Sequence, residues 1–254
     1  MMDTLVTVPV LETRGLSKAF GGVQAVAAVD LAMPRGEIRA LIGPNGAGKT
    51  TFFNMLTGQL RADAGEVRFK GELLSGLSPH AVWRRGVSRT FQITATFSSL
   101  TVLENVQVAL QSHRHQTYAL LRRAARLEAA AARALLARVG LEGEAERPAG
   151  ALAYGDLKKL ELAMALANDP EVLLLDEPTA GMAPAERGAL MALTERIARE
   201  RSLTVLFTEH DMDVVFSVAD RIMVLHQGRV IAEGRPHEVR ADEQVQRVYL
   251  GETE

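Results

Sequence analysis

Ile38-Arg39-Ala40-Leu41-Ile42-Gly43-Pro44-Asn45-Gly46-Ala47-Gly48-Lys49-Thr50-Thr51 is a short, mostly apolar run that breaks into glycine and then resumes as a helix-compatible stretch. Residues 43–50 fit G-x-x-x-x-G-K-[ST] in full, a pattern with a mechanism behind it. Glycine lets the backbone wrap close to phosphate oxygens. Successive N–H groups and the N-terminus of the following helix then turn their positive ends toward an anion. The loop of Gly43, Pro44, Asn45, Gly46, Ala47, Gly48, Lys49, Thr50 and Thr51 is therefore expected to cradle the phosphates of ATP. Lys49 is expected to reach the β and γ phosphates, and the Thr50 hydroxyl to bind Mg2+.

Outward from this loop, residues 172–175 and 203–207 form two more nearly continuous apolar runs that stop at polar residues. Runs of this length read as strands buried on both faces. Helix-like stretches at 50–60, 156–167 and 184–200 separate them, the alternation of a mostly parallel sheet covered by helices, so the fold class is α/β with a P-loop NTPase core. Strand-rich segments at 11–31 and 66–70 predict an antiparallel β-subdomain, and residues 222–232 should turn over at Gln227-Gly228 as a hairpin. Residues 118–139, rich in Ala, Leu and Arg with apolar residues at helical spacing, predict an inserted α-helical lobe. The expected organisation is one domain, 1–254, with a core at about 1–91 and 157–254 and the lobe at about 92–156.

The chain has 254 residues, 47% of them hydrophobic and 24% charged, which is ordinary globular material. A formal net charge of -2 offers no global attraction to nucleic acid, and none is expected as a partner. There is no cysteine, which excludes disulfides, thiolate metal sites and cysteine nucleophiles. The first ten residues lack a basic start and a small-residue cleavage site, so no signal peptide is expected. No apolar run reaches the roughly 18 residues that a spanning helix needs. His80, His113, His115, His226 and His237 show no paired metal-ligand spacing apart from the isolated His113/His115 couple, which alone cannot make a closed site, and Trp83 beside Arg84 and Arg85 reads as a docking or surface group rather than a base-stacking one.

Val172-Leu173-Leu174-Leu175-Asp176-Glu177 ends a buried strand in two carboxylates. Buried charge is costly without a partner, so a cation or a reaction is expected there. Asp176 is placed to hold Mg2+ through its water shell, and Glu177 to take the proton from, or to orient, the water that attacks the γ phosphate. His210 follows the run 203–207 at the carboxyl edge of the sheet, where ligands gather in such folds.

Together these residues resemble the ATP-binding cassette family over almost the whole chain, from about 11 to 234. That resemblance implies roles for further residues. Gln92, in Arg89-Thr90-Phe91-Gln92, is similar to the family's glutamine loop, which contacts ATP and Mg2+ and links the site to a membrane partner. His210 looks like the switch histidine that touches the γ phosphate, and Phe20 like the aromatic residue that stacks on adenine. Leu152-Ala153-Tyr154-Gly155-Asp156 stands where the family carries L-S-G-G-Q, the segment that caps ATP on the opposite subunit. Ala153 lacks the usual serine hydroxyl, which leaves Gly155 and the helix N-terminus to supply donors. The loop after Glu177, Ala180-Gly181-Met182-Ala183, lacks the usual aspartate.

Both departures are similar to the ATPases of bacterial branched-chain amino acid importers, as are Glu209-His210-Asp211-Met212 and the end Tyr249-Leu250-Gly251-Glu252. The resemblance implies an ATPase peripheral to the cytoplasmic face of the bacterial inner membrane. Its partners would be two integral membrane permease subunits, a second ABC ATPase or a second copy of itself, and, indirectly, an external substrate-binding protein. The alternatives are an ABC ATPase of another transporter (urea or amide, lipid, or export) and a soluble nucleic-acid or translation ATPase.

Overall fold

The computed structural model describes residues 8–90, 96–113 and 128–250. The chain first forms β1 (Leu11–Phe20), β2 (Val23–Met33), β3 (Ile38–Ile42), α1 (Lys49–Leu56), β4 (Ala64–Phe69) and β5 (Glu72–Leu73). It continues through α2 (Pro79–Arg84), β6 (Val87–Arg89), α3 (Val102–His113), α4 (Ala129–Val139), α5 (Tyr154–Ala165) and β7 (Val172–Asp176). The last third contains α6 (Pro184–Arg201), β8 (Thr204–Thr208), α7 (Met212–Val218), β9 (Arg221–His226), β10 (Arg229–Gly234), α8 (Pro236–Ala241) and α9 (Glu243–Leu250).

Every residue of β3, β7 and β8 is buried, as near-continuous apolar runs require. These strands lie inside a six-stranded sheet of order β10-β9-β3-β8-β7-β6, parallel except where β10 folds back on β9. The β9–β10 turn is Gln227-Gly228, both at positive φ (46° and 76°), the conformation that a two-residue hairpin of this hand needs. Alternate residues of each central strand face opposite layers. Ile38, Ile42, Leu173 and Phe207 pack toward the helices, whereas Leu41, Leu174 and Leu206 pack with Phe52 and Phe53 of α1 and with the antiparallel sheet β2-β1-β4-β5. Burying each of those phenylalanines contributes about 1.5–3 kcal/mol relative to leaving it in water.

Chain order reverses around β3. β1 and β2 start the second sheet before β3; after β3 the chain completes it with β4 and β5, re-enters the first sheet at its far edge as β6, then steps through β7 and β8 and passes over β3 to β9. In open α/β sheets ligands bind at the carboxyl ends where the order reverses. The register pairs Leu41 with Thr208 and Asp176 with Thr208, so the phosphate loop, Asp176 and the end of β8 share one edge.

α3, α4 and α5 pack on one another through Val106, Leu110, Leu136, Val139 and Leu160, in the same core cluster as Ile38 and Leu173. Residues 118–127 of the expected lobe helix lie outside the described residues, and the remainder is α4, ended by Gly140 at φ +75°. The expected lobe boundary, 156/157, falls in the first turn of α5, which packs on α3, α4 and α6. The helix expected at 50–60 stops at Leu56, because Gly58 turns left-handed (φ +71°) and Thr57 Oγ1 donates back to the Phe53 carbonyl.

Candidate nucleotide site

The phosphate loop joins β3 to α1, and its shape depends on missing side chains. A Cβ on Gly43 would stand 2.1 Å from the Leu225 carbonyl oxygen, and one on Gly48 (φ +106°) 2.2 Å from that of Ala25. Neither is possible without moving backbone. Asn45 and Gly46 form an exposed crest, Pro44 is half-buried, and Ala47 beneath is buried. Lys49 is buried, and its Nζ donates to the carbonyls of Gly43 (2.5 Å) and Pro44 (3.2 Å). Burial holds its pKa below the ordinary lysine value, although the charges of Glu177 and Asp176 pull the other way. Thr50 is exposed in the first turn of α1, and Thr51 is half-buried beside it.

Asp176 ends β7 with both oxygens engaged: Oδ1 accepts from Thr208 Oγ1 (2.9 Å) and Oδ2 from Arg89 Nη2 (2.7 Å). Glu177 follows at φ +48°, a conformation that L-residues rarely adopt, and its N–H donates to Thr208 Oγ1 (2.9 Å). Its Oε1 accepts from Nε2 of His210 at 2.8 Å. Behind the histidine, buried Glu209 accepts from the N–H and the hydroxyl of Thr179 (2.9 and 2.6 Å). Lys49, Asp176, Glu177 and His210 thus meet at the carboxyl edge of one sheet.

The other expected residues lie apart. Ala153 is the N-cap of α5 and offers no side-chain cap, and Gly155 faces Met182 and Glu186. Phe20, half exposed, ends β1 with the Lys18 ammonium 5.5 Å from its ring centre. Gln92 lies outside the described residues.

The family model described as ABC transporter matches residues 26–180, more than half of the chain. The chain belongs to the ABC transporter family. It is an ATPase of that family, with an ATP-binding fold. A second family model, described as branched-chain amino acid ATP-binding cassette transporter, matches residues 229–254 of this cassette. The cassette is 42% identical over 253 residues to the high-affinity branched-chain amino acid transport ATP-binding protein BraF of Pseudomonas aeruginosa, covering 96% of this chain and 98% of that one. It is 41% identical over 251 residues to LivG, a high-affinity branched-chain amino acid transport ATP-binding protein of Escherichia coli, with the same coverage of 96% and 98%. Among solved structures it is similar to a nucleotide-free ATP-binding cassette from an ABC transporter, with TM-score 0.84, 30% identity, and coverage of 94% and 98%. The ADP conformation of the cassette MJ1267 gives TM-score 0.82, 30% identity, and coverage of 95% and 98%.

Sequence reasoning missed several residues of the cassette's site. Arg89 lies inside the Arg89-Thr90-Phe91-Gln92 run, yet nothing local signals its bond to Asp176, 87 positions away. Its other Nη donates to Asn54 (2.7 Å) and Gln59 (3.2 Å) just beyond the phosphate loop. Thr208, which contacts both Asp176 and Glu177, reads in sequence only as the polar end of a strand. On the far side of Arg89 a cavity of about 370 Å³ is lined by Val82, Trp83, Val87, Val108 and Met164.

Proposed function

We propose that this ATPase hydrolyses ATP through Lys49, Asp176, Glu177 and His210, and that it drives uptake of branched-chain or related amino acids at the cytoplasmic face of the bacterial inner membrane. The observation that carries the reading is the meeting of those four side chains on one sheet edge beside the phosphate loop. The names of the relatives, and the match at 229–254, support the choice of cargo class.

In this reading the loop N–H groups and Lys49 hold the phosphates, Lys49 exchanging its bonds to the Gly43 and Pro44 carbonyls for phosphate oxygens. Glu177 takes the proton of the attacking water or orients it. His210 holds the Glu177 carboxylate and reaches toward the γ phosphate. Phe20 offers its open ring face to adenine. Ala153 and Gly155 face a nucleotide held by a second subunit, either another ATPase or a copy of this chain, and Gln92 serves ATP, metal and the membrane partner together.

The donor set suits Mg2+: the exposed Thr50 hydroxyl and the Asp176 carboxylate are hard oxygen ligands, and this ion keeps several waters while using one or two carboxylates. With both Asp176 oxygens already accepting hydrogen bonds, contact through water fits better than direct ligation. Mg2+ would supply charge neutralisation at the β and γ phosphates.

Among the described residues no helix is long and apolar enough to cross a membrane. The two integral membrane permease subunits are therefore separate partners in this reading. The apolar cavity at Trp83, which Arg89 and Thr90 also line, suits a docked helix of one of them. An external binding protein would deliver the cargo to those subunits.

Turnover of the purified chain, alone and with its membrane subunits, tests the proposal. Glu177→Gln should keep ATP binding and lower turnover about 10²- to 10⁴-fold. Near-normal turnover in that variant refutes the assignment.

A further inference from the structure

α5 starts with an aromatic ring where a small residue would suffice to begin a helix. Tyr154 is the first residue of α5, and its side chain points away from the lobe core onto the loop that follows Glu177. Its hydroxyl donates to the Ala180 carbonyl at 3.0 Å. The ring packs over Gly181, where a Cβ would make ordinary van der Waals contact, 3.4 Å from the ring edge and from the hydroxyl. The Lys158 ammonium, one turn further along, sits 5.5 Å from the ring centre.

We propose that Tyr154 is a positioning residue for ATP hydrolysis: it holds the loop after Glu177, so that the surface around the start of α5 sets where the Glu177 carboxylate stands. The inference rests on the role given to Glu177 above.

The loop has two anchors. On the inside, Thr179 is fixed to Glu209 by its N–H and its hydroxyl, and Glu209 also accepts from the backbone N–H of His210 (3.2 Å). On the outside, Tyr154 holds Ala180. Between them, the Ala180 N–H donates to the Glu177 carbonyl (3.1 Å) and the Met182 N–H to that of Thr179 (3.1 Å). A closed circuit therefore runs from Glu177 through Ala180 and Thr179 to Glu209 and His210, and back to Glu177 through the histidine ring, and Tyr154 is tied to it at Ala180.

Glu177 needs such a circuit, because its backbone conformation (φ +48°) is one that it would leave if the loop were slack. Tyr154 is also 43% exposed, beside Ala153 and Gly155. A subunit pressed onto that surface would move the ring, and the ring carries the loop with it.

Tyr154→Phe removes only the hydroxyl, and Tyr154→Ala removes the ring as well. In the full chain purified with its membrane subunits, Tyr154→Phe should lower kcat about three- to tenfold, the value of one half-exposed hydrogen bond, at unchanged KM for ATP and unchanged Tm. Tyr154→Ala should lower it further. In the full chain alone, the Ala180 and Met182 amides should exchange with deuterium faster by a similar factor. Unchanged kcat in both variants overturns the proposal. So does a loss that appears as raised KM or lowered Tm, which would mark an ordinary packing residue. Failure of the Glu177 assignment is read separately, from Glu177→Gln with Tyr154 intact.

Discussion

Lys49 is a cation that the fold has made reluctant to stay charged. Burial lowers its pKa, Glu177 and Asp176 offset part of that, and two loop carbonyls hold the ammonium in place of water. In the proposed reading, its grip on phosphate should weaken on the alkaline side at lower pH than an ordinary lysine's would. Titrating ATP binding against pH, with Lys49→Arg as the comparison, should show an alkaline loss in the unaltered chain and a flatter curve in the variant. For folding the sign is opposite. Between the lowered and the ordinary pKa the unfolded chain binds more protons, so this residue's contribution to the stability of the ligand-free chain rises with pH through that window.

Among the elements, β3, β9 and α6 are joined at their far ends by one carboxylate. Asp220 accepts from the Ile38 N–H (2.8 Å) and, in bidentate fashion, from Arg199 (2.8 and 2.7 Å), while its own N–H donates to the Ile38 carbonyl (2.8 Å). Burial pushes its pKa up, but Arg199 and the Ile38 N–H outweigh that, and the folded-state value lies below the ordinary one. Its stabilisation is therefore complete above the ordinary aspartate pKa and is lost as pH falls through the folded value. Because the pair is more than a third exposed and screened, Asp220→Asn should cost only about 1 kcal/mol. Urea denaturation should show that loss at neutral pH and a shallower acid decline in the variant. The legibility of the sequence at this scale comes from burial and glycine chemistry. β3, β7 and β8 are apolar because both faces are covered, and the loop after β3 is marked by glycines that its neighbours make obligatory. α2 and β6, at six and three residues, are too short to show a period, and α3 falls inside the expected helical lobe, its apolar residues recurring at helical spacing. The Arg89–Asp176 pair and the Tyr154 tie join residues 87 and 26 positions apart, and no local pattern encodes such contacts.

Over the whole molecule, the helical lobe and the parallel sheet share one apolar cluster, from Leu136 and Val139 of α4 through Leu160 to Leu173 and Phe207. The described parts of the lobe should therefore not melt separately. The chain contains a single tryptophan, Trp83, at the edge of the cavity between α2 and the lobe. Its fluorescence and the far-ultraviolet circular dichroism should trace one superimposable urea transition, and two separated transitions would show the lobe to be an independent unit. The two sheets also meet at the phosphate loop. The Ala25 carbonyl from the antiparallel sheet and the Leu225 carbonyl from the parallel one close on Gly48 and Gly43, and the hairpin residue Gly228 donates its N–H to Ala47. A loop gripped from both sides has little freedom left to surrender. Most of the ordering entropy that would otherwise oppose nucleotide capture is already spent in folding, so affinity at this loop is set by the fit of the phosphates and not by a search for the right backbone shape.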